Sequence, residues 1–225
     1  MPTANRRAFV PRALRWFQRQ TYAAAELVVL DDGEDPVANL MPVDDPRVRY
    51  IRLDRRVATL GQKRNLIVAA ARGDLIVHWD DDDWSAPDRL AVQVERMADR
   101  KVDICGLAHP LYYDSRSKQA WRYKGADVRP GLRWLYGICY RRSEWKKHPF
   151  RPQQRASDTM FLYCGTPGRQ ALVDDRLAVC MVHTDNVSPK SMEDGLWQSV
   201  DVGEVQKVVG EDWREFSGTS GLVLR

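Results

Sequence analysis

The sequence predicts an α/β protein with a Rossmann-like, mainly parallel central sheet, and three observations support this class. Short apolar runs alternate with amphipathic segments through the first half of the chain, the pattern of strand and helix layers. Acidic sequences follow two of the predicted strands, at Asp31-Asp32-Gly33 and at Asp80 to Asp83. The 225 residues suffice for one substantial domain with its own core. We therefore expect a single three-layer domain over residues 1–225.

Each predicted element of the first half has a local reason. Val10, Leu14 and Phe17 share one face of a helix. Gly73 lies in the position that favours a helix end, and Pro87 lies near a first turn. The predicted elements are a helix at 9–20, strands at 27–30 and 48–53, a helix at 61–71, a strand at 75–79, a helix from 85 onwards and a strand at 102–106.

The second half is less regular. A turn at residues 114–117 indicates a hairpin over residues 110–123. Apolar and amphipathic runs predict strands at 134–140 and 178–182 and helices at 158–163 and 203–216. Because there is no internal repeat or long linker, both halves are assigned to one domain.

Composition excludes several classes of protein. No stretch approaches 18 uninterrupted apolar residues, so no membrane span is predicted. The net charge of +4 fits anionic ligands, or loose peripheral association with an acidic membrane surface, but is too small to indicate nucleic acid binding. The cysteines lack a C-x-x-C pair, which argues against zinc and favours reduced core residues in a cytoplasmic protein. They are Cys105, Cys139, Cys164 and Cys180.

The run from Asp80 to Asp83 is the most informative motif of the chain. Adjacent carboxylates repel one another, so the run calls for a cation. Oxygen ligands favour Mg²⁺ or Mn²⁺, and Mg²⁺ is commonly held by one or two carboxylates together with phosphate oxygens. The alternative is a solvated loop in which Asp83 or Ser85 caps the next helix. The apolar strand before the run favours a metal–phosphate site, because ligands of α/β sheets bind at the carboxyl ends of strands.

Two further motifs fit the binding of a nucleotide. At the end of its strand, Asp31 or Asp32 can accept hydrogen bonds from a base or a ribose, although Asp-Gly also encodes a plain turn. Lys63 and Arg64 open a helix, where the backbone N–H groups favour an anion. The alternative is an exposed basic helix start, which would oppose the helix dipole.

Two single residues carry weaker signals. Asp158 begins a predicted helix, and for a lone Asp the default interpretation is an N-cap. His183 follows a strand and is a candidate metal ligand or phosphate contact, although a lone His is more often a packed or surface residue.

Taken together, these motifs resemble family 2 glycosyltransferases with the GT-A fold. The resemblance covers essentially the whole chain, and the order and spacing of the motifs match the family. The matching segments are Pro2-Thr3-Ala4-Asn5-Arg6, Leu30-Asp31-Asp32-Gly33, Gly61-Gln62-Lys63-Arg64-Asn65, Trp79 to Trp84, Pro87-Asp88-Arg89-Leu90 and Ser157-Asp158. The resemblance implies a nucleotide-binding half at 1–106 and an acceptor-side half at 107–225.

The resemblance also implies a role for individual residues. Asp158 matches the general base of inverting members, and Gly137 lies where a small residue leaves room for donor sugar or acceptor. His183 remains a candidate further ligand of the metal. The remaining implied roles are Pro2 and Thr3 at the nucleobase, Asp32 at the uridine with Asp31 beside it, Lys63 and Arg64 at the base or diphosphate, Asp80 and Asp81 at the nucleotide, and Asp80 and Asp82 at the metal.

The implied function is a metal-dependent, inverting transfer from a nucleoside-diphosphate sugar, with UDP as the expected nucleotide and Mg²⁺ or Mn²⁺ as cofactor. The acceptor hydroxyl, on a saccharide, a lipid-linked molecule or another compound, is not identified by the sequence. One alternative is a catalytically silent nucleotide-sugar-binding protein on the same fold. A sugar nucleotidyltransferase is a weaker alternative, because no glycine-rich phosphate loop lies near the start of the chain.

Two departures from the family pattern are visible. Ser157 stands where the family usually has Glu before the catalytic Asp, which bears on acceptor type and activity. Met1 directly precedes Pro2-Thr3, where family members have an apolar strand inside the sheet. We therefore expect the first strand to be missing, and an upstream segment of about five residues, another segment or a partner chain to fill its place.

Overall fold

The structure, a computed structural model, describes residues 1–99, 101–125, 127–129, 132–164, 169–188, 190 and 192–218. Its helices are α1 Val10–Gln18, α2 Leu60–Ala70, α3 Arg89–Ala98, α4 Arg142–Lys147, α5 Ser157–Cys164, α6 Val202–Val209 and α7 Trp213–Phe216. Its strands are β1 Pro2–Thr3, β2 Leu27–Asp31, β3 Val48–Arg52, β4 Leu75–Val77, β5 Trp84–Ser85, β6 Ile104–Leu107, β7 Leu111–Asp114, β8 Gln119–Tyr123, β9 Asp127–Arg129, β10 Leu132–Arg133, β11 Tyr136–Arg141, β12 Gln170–Leu172, β13 Ala178–Val182 and β14 Trp197–Val200.

The strands of the described residues form three sheets and a short two-stranded ribbon. β2 lies between β1 and β3, and both pairs are parallel. A second sheet has the order β12-β6-β11-β4, with β6 and β12 parallel and β11 antiparallel to its neighbours. A third has the order β14-β8-β7-β13-β5, and β9 pairs with β10. The predicted α/β class with its parallel, Rossmann-like start is confirmed.

The four-stranded sheet is covered on both faces, because successive strand residues point to opposite sides. Cys105 packs with Met97 of α3 in the larger core cluster. Its neighbour Ile104 packs with Phe161 of α5 in a second cluster. This helix–sheet–helix layering holds the carboxyl end of β4 rigidly, and the acidic run starts there.

The expectation of a missing first strand stays a prediction, although the structure pairs the first residues of the chain with β2. Pro2 and Thr3 form β1, in parallel register with Leu30 and Asp31 of β2. The Met1 amine donates to the Val28 carbonyl at 2.7 Å, and the Leu30 N–H donates to the Met1 carbonyl at 3.0 Å. Pro2 and Thr3 are therefore paired strand residues, rather than the loop residues that the sequence suggested.

Other predicted elements differ in detail. The helix predicted over 203–216 is interrupted at Gly210, which adopts a φ of +61° between α6 and α7. The strand predicted from Trp134 starts at Tyr136, so Trp134 lies outside the ladder. α4, β12 and β14 were not predicted, because they are short and carry no clear periodicity.

No helix among the described residues is long and apolar enough to cross a membrane. All four cysteines are free, and Cys105, Cys139 and Cys180 are buried, as expected for core residues.

Candidate active site

A cleft of about 700 Å³ opens at the carboxyl ends of β1, β2 and β4, beside the first turns of α2 and α5. Asp31 and His183 are outside its lining. The structure brings the other predicted site residues together around it: Pro2, Thr3, Asp32, Lys63, Arg64, Asp80, Asp81, Asp82 and Asp158.

Asp31 supports the backbone behind the cleft. Its carboxylate is fully buried and accepts hydrogen bonds from the N–H groups of Gly33 at 2.9 Å and Val37 at 3.0 Å, and from the Tyr50 hydroxyl at 2.8 Å. Burial and the Asp31 carboxylate raise the pKa of Tyr50 to about 12. Asp31 therefore fixes the turn that follows β2, and its place beside the nucleotide stays a prediction.

Asp32, the next residue, faces the cleft. Lys63 Nζ donates to its Oδ1 at 2.5 Å and to the Thr3 carbonyl at 2.6 Å, while the Val57 N–H donates to its Oδ2 at 2.8 Å. Burial lowers the pKa of Lys63, and the Asp32 carboxylate opposes that effect. Lys63 thus links the start of α2 to the ends of both β1 and β2. Its ammonium group bridges two walls of the cleft.

Asp80 and Asp81 lie at the base of the cleft, where ionisation is unfavourable. Burial, together with the neighbouring Asp82 carboxylate, raises the pKa of Asp81 to about 7, although Thr3 Oγ1 donates to it at 2.7 Å. Burial also raises the pKa of Asp80, and the carboxylates of Asp82 and Asp158 add to the shift. Within the described part of the chain, no hydrogen bond reaches the Asp80 carboxylate.

One carboxylate oxygen of Asp82, Oδ2, lies within reach of several hydrogen-bond donors. Arg6 Nη1 and His183 Nε2 both lie 2.9 Å from its Oδ2, and Asn186 Nδ2 lies at 3.4 Å. Burial opposes its ionisation, but His183 and Arg6 together lower the pKa of Asp82. His183 Nδ1 accepts from the Asp185 N–H at 3.1 Å, so a singly protonated ring carries its proton on Nε2. In this arrangement His183 orients Asp82, and its role as a metal ligand stays a prediction.

Asp83 closes the acidic run. The Met181 N–H donates to its Oδ1 at 2.8 Å, and the Tyr136 hydroxyl donates to its Oδ2. Burial and the charges of Asp82 and Asp80 raise the pKa of Asp83 well above its ordinary value. Asp83 therefore anchors the run to β13 and β11.

Gly137 makes room for a buried arginine beneath the acidic run. A Cβ at Gly137 would lie 2.8 Å from Nη2 of Arg89, and the residue has a φ of +57°. Arg89 Nη2 donates to the carbonyls of His78 at 2.8 Å and Gly137 at 3.2 Å. The positive φ and the close contact with Arg89 together favour glycine here, and the room that Gly137 was expected to leave for donor sugar or acceptor stays a prediction.

Asp158 lies in the first turn of α5, with its side chain 30% exposed to the cleft. Its Oδ1 accepts from the Thr159 N–H at 2.9 Å and lies 3.9 Å from Arg64 Nη1. Arg64 Nη1 donates to the buried Ser157 hydroxyl at 2.6 Å. Ser157 therefore places the guanidinium beside Asp158, at the mouth of the cleft.

The loop before Asp158 rests on Gly61 of α2. The Gly61 N–H donates to the Gln153 carbonyl at 3.1 Å. A Cβ at Gly61 would lie 2.0 Å from the Arg151 carbonyl oxygen. Only glycine permits this close contact, and the contact fixes the position of the loop that leads to Asp158.

Gly61→Ala is expected to destabilise the fold by about 1–3 kcal/mol through overpacking, although Ala is intrinsically the better helix former. It should also reduce any activity that depends on Asp158, since the loop that leads to Asp158 must move. Thermal unfolding and activity assays measure both effects. Gly73→Ala is the matched control, because a Cβ at Gly73 would approach the Leu75 carbonyl oxygen only to 3.2 Å. Equal stability of Gly61→Ala and the native chain would contradict this role.

Sequence reasoning missed several residues of the cleft. Arg6 was recognised only as part of a motif, yet it contacts Asp82, Asp185 and His183. Tyr112, Trp134, Tyr136 and Lys190 also line the cleft and come from irregular sequence. The one available signal was aromatic enrichment between residues 110 and 140.

Asp80 and Asp82 fit a divalent cation. Asp80 is a half-buried carboxylate without a hydrogen-bond donor in the described chain, and its raised pKa reflects burial and like charge. Among the described residues, no group of three or more His, Cys, Asp or Glu side chains is placed to hold a metal ion. Two carboxylates nevertheless suffice for Mg²⁺ when phosphate oxygens supply further ligands.

The family model described as Glycosyl transferase family 2 matches residues 1–172. WcaA of Escherichia coli strain K12, named as a putative colanic acid biosynthesis glycosyl transferase, is 34% identical over 96 residues, which are 41% of this chain and 34% of that protein. The succinoglycan biosynthesis protein ExoO of Rhizobium meliloti strain 1021 is 39% identical over 89 residues, 39% of this chain and 25% of that protein. The matched part thus spans well under half the length of these relatives.

Solved structures share the fold. S. aureus TarS 1-349 in complex with UDP-GlcNAc superimposes with a TM-score of 0.67 at 16% identity, covering 100% of this chain and 74% of that one. The mannosyltransferase PcManGT from Pyrobaculum calidifontis, in complex with GDP-Man and Mn²⁺, superimposes with a TM-score of 0.58 at 19% identity, covering 80% of this chain and 55% of that one. At these identities the likeness establishes the fold alone.

Proposed function

This chain belongs to glycosyl transferase family 2, and we propose that it transfers a sugar from a nucleoside-diphosphate sugar to an acceptor hydroxyl. One observation carries the proposal. A single cleft places Asp80 and Asp82 beside Lys63 and Arg64, with Asp158 at its mouth. Paired carboxylates for a metal, cations for a diphosphate and a separate carboxylate for proton removal are the groups that such a transfer needs.

The nucleotide is assigned to the wall formed by Pro2, Thr3 and Asp32. The Asp32 carboxylate has spare lone pairs beyond its bonds to Lys63 and Val57, so it can accept from a base N–H. UDP is the expected nucleotide, and the UDP-GlcNAc complex of S. aureus TarS, which shares the fold, supports that choice.

The diphosphate is assigned to the space between the acidic run and the start of α2. Asp80 and Asp82 would hold Mg²⁺ or Mn²⁺, which when bound supplies positive charge to the leaving diphosphate. Arg6 and His183 keep Asp82 ionised and oriented. Arg64, in the second turn of α2, adds positive charge there.

Asp158 is proposed as the general base. One of its carboxylate oxygens is bonded to the Thr159 N–H, and the exposed side chain leaves the other for the acceptor hydroxyl. Removal of that proton at the moment of attack lets the acceptor oxygen displace the nucleotide from the opposite face of the sugar, with inversion.

A second candidate is a nucleotide-sugar-binding protein without turnover. Ser157 favours it, since this position usually carries Glu in the family that the sequence resembles. In the structure, Ser157 Oγ accepts from Arg64 at 2.6 Å while Asp158 keeps its place. The two candidates differ in one observable, the release of free nucleotide.

A panel of UDP-glucose, UDP-galactose, UDP-GlcNAc and GDP-mannose with Mn²⁺ tests the proposal. At 100 times its Kd, a donor should stabilise the fold by about 2.7 kcal/mol, which raises the Tm by roughly 5–10 °C for a chain of this size. We expect this shift with a UDP-sugar, followed by slow release of UDP. Stabilisation without release would favour the second candidate.

Lys63→Met should lose the shift, because Lys63 links the Asp32 and Thr3 walls. Lys207→Met, at an exposed position of α6, is the matched control. A panel in which no nucleotide sugar stabilises the native chain would overturn the proposed function.

A further inference from the structure

Five aromatic side chains form a continuous row on the acceptor side of the cleft. Tyr112 and Trp197 have ring centroids 4.8 Å apart, Trp197 and Tyr123 4.9 Å, and Tyr123 and Trp134 4.6 Å. Tyr136 extends the row from Trp134 at 6.4 Å. These five residues are called the aromatic row.

The aromatic row has a cleft-facing layer and a supporting layer. Tyr112, Trp134 and Tyr136 line the cleft, whereas Tyr123 and Trp197 lie behind Trp134. Tyr123 and Trp197 are directly opposite each other on β8 and β14, so the sheet itself fixes their contact. The indole of Trp134 is therefore held in place before any ligand binds.

The row lies beside the reacting groups. The Tyr136 hydroxyl donates to Asp83 of the acidic run. β10, which precedes Trp134, contacts α5, whose first turn carries Asp158. The carboxylates of Asp83 and Asp158 are also close enough to Tyr112 to reinforce the rise in its pKa that burial causes. A molecule on the row would thus lie in the same cleft as Asp158.

The nucleotide is assigned to another wall. Thr3 bonds to Asp81, whereas Tyr136 bonds to Asp83, so the nucleotide wall and the aromatic row are tied to different members of the acidic run. The base has its own partner in Asp32. The aromatic row is left for the other substrate.

We propose that the aromatic row is a subsite for a sugar ring of the acceptor, with the C–H face of a pyranose lying on Trp134. This rests on the proposed function and adds the class of acceptor, a saccharide. A pyranose offers a face of weakly positive C–H bonds to the negative face of an aromatic ring, and hydroxyls around its edge. Asp158, Lys190 and Ser188 line the same cleft and provide partners for those hydroxyls.

An alkyl chain fits this wall less well. Ligand sites for apolar molecules are lined predominantly by apolar side chains, but most residues around this cleft are charged or polar. Aromatic side chains next to hydrogen-bonding groups match a molecule that alternates C–H faces and hydroxyls.

Saturation-transfer NMR with simple probes tests this assignment. The probes are the methyl α- and β-pyranosides of glucose, galactose, mannose and N-acetylglucosamine, with sorbitol as a polyol without a ring face. The protein is saturated with UDP and diamagnetic Mg²⁺. We expect transfer to the ring C–H protons of at least one pyranoside and none to sorbitol, with loss of that transfer in Trp134→Ala and retention in Trp134→Phe.

Trp213→Ala is the matched control, because Trp213 is a half-buried tryptophan that packs on Tyr113 and Phe216 outside the cleft lining. Absence of transfer to every pyranoside with the native chain would overturn the proposal, as would equal transfer in Trp134→Ala. The thermal shift with UDP distinguishes failure of the acceptor assignment from failure of the proposed function. If UDP stabilises the protein but no pyranoside binds, the acceptor assignment fails alone, and if UDP itself does not bind, the proposed function fails.

Discussion

Asp158→Asn is expected to slow release of UDP from the donor by about 10²–10⁴-fold, the usual contribution of a general base. The substitution keeps the shape of the side chain and its bond from the Thr159 N–H, but removes the lone pair that takes the proton. Arg64 is also held by Ser157, so the diphosphate side of the cleft should keep its geometry. Donor affinity, measured by thermal shift with UDP, should therefore change little.

The control for this variant must separate catalysis from helix capping, since Asp158 also lies in the first turn of α5. Asp201→Asn serves this purpose, because Asp201 is the N-cap of α6, accepts from the Gly203 N–H at 2.7 Å and lies outside the cleft lining. It should leave turnover unchanged. If Asp158→Asn turned over at the native rate, another group would have to remove the proton.

The position of the acidic run could be predicted from sequence because it depends on local pattern. A short apolar strand followed by four aspartates places the run at the carboxyl end of a buried strand, whatever the neighbouring strands are. The same holds for Lys63, since a helix start needs only local signals.

The division of roles between Asp31 and Asp32 could not be predicted in this way. Neighbouring residues at a strand end point to opposite sides, and only the pairing of Asp31 with Thr3 and the turn at Gly33 decides which one faces the cleft. His183 presents the same difficulty, because its bond to Asp82 joins residues 101 positions apart.

The aromatic row was hidden for a related reason. Trp134 was assigned to a strand by its apolar neighbours, but the ladder starts at Tyr136 and leaves the indole in the wall of the cleft. Trp197 lies on β14, which has no periodicity to reveal it and is placed by pairing with β8. Sequence could show that aromatic residues were abundant here, and the register of distant strands decided which of them meet.

Removal of the metal is expected to have the other large effect, the loss of nucleotide binding. In excess EDTA the carboxylates of Asp80 and Asp82 would repel the diphosphate of UDP instead of sharing a cation with it. Thermal shift with UDP, with and without EDTA and with Mn²⁺ added back, measures the dependence. Unchanged UDP affinity in EDTA would contradict a metal site at the acidic run.

Two substitutions sharpen this prediction, because Asp80 and Asp82 differ in their partners. Asp80→Asn should raise the Tm of the free protein, since Asp80 has no hydrogen-bond donor in the described chain and like charge opposes its ionisation. Asp82→Asn should lower stability by about 1–3 kcal/mol, because Arg6 and His183 lose a charged acceptor. Both variants should lose metal-dependent UDP binding.

If the two variants changed stability in opposite directions but both lost UDP binding, the loss would reflect the metal site and not the stability of the fold. If the acidic run had only a structural role, UDP affinity would change in parallel with the stability of the fold. The more stable Asp80→Asn protein would then bind UDP at least as well as the native chain. Asp44→Asn, at an exposed carboxylate outside the cleft lining, controls for the loss of one negative charge. If Asp80→Asn retained metal-dependent UDP binding, other groups would have to hold the metal. Those groups would then also place the positive charge that the departing diphosphate requires.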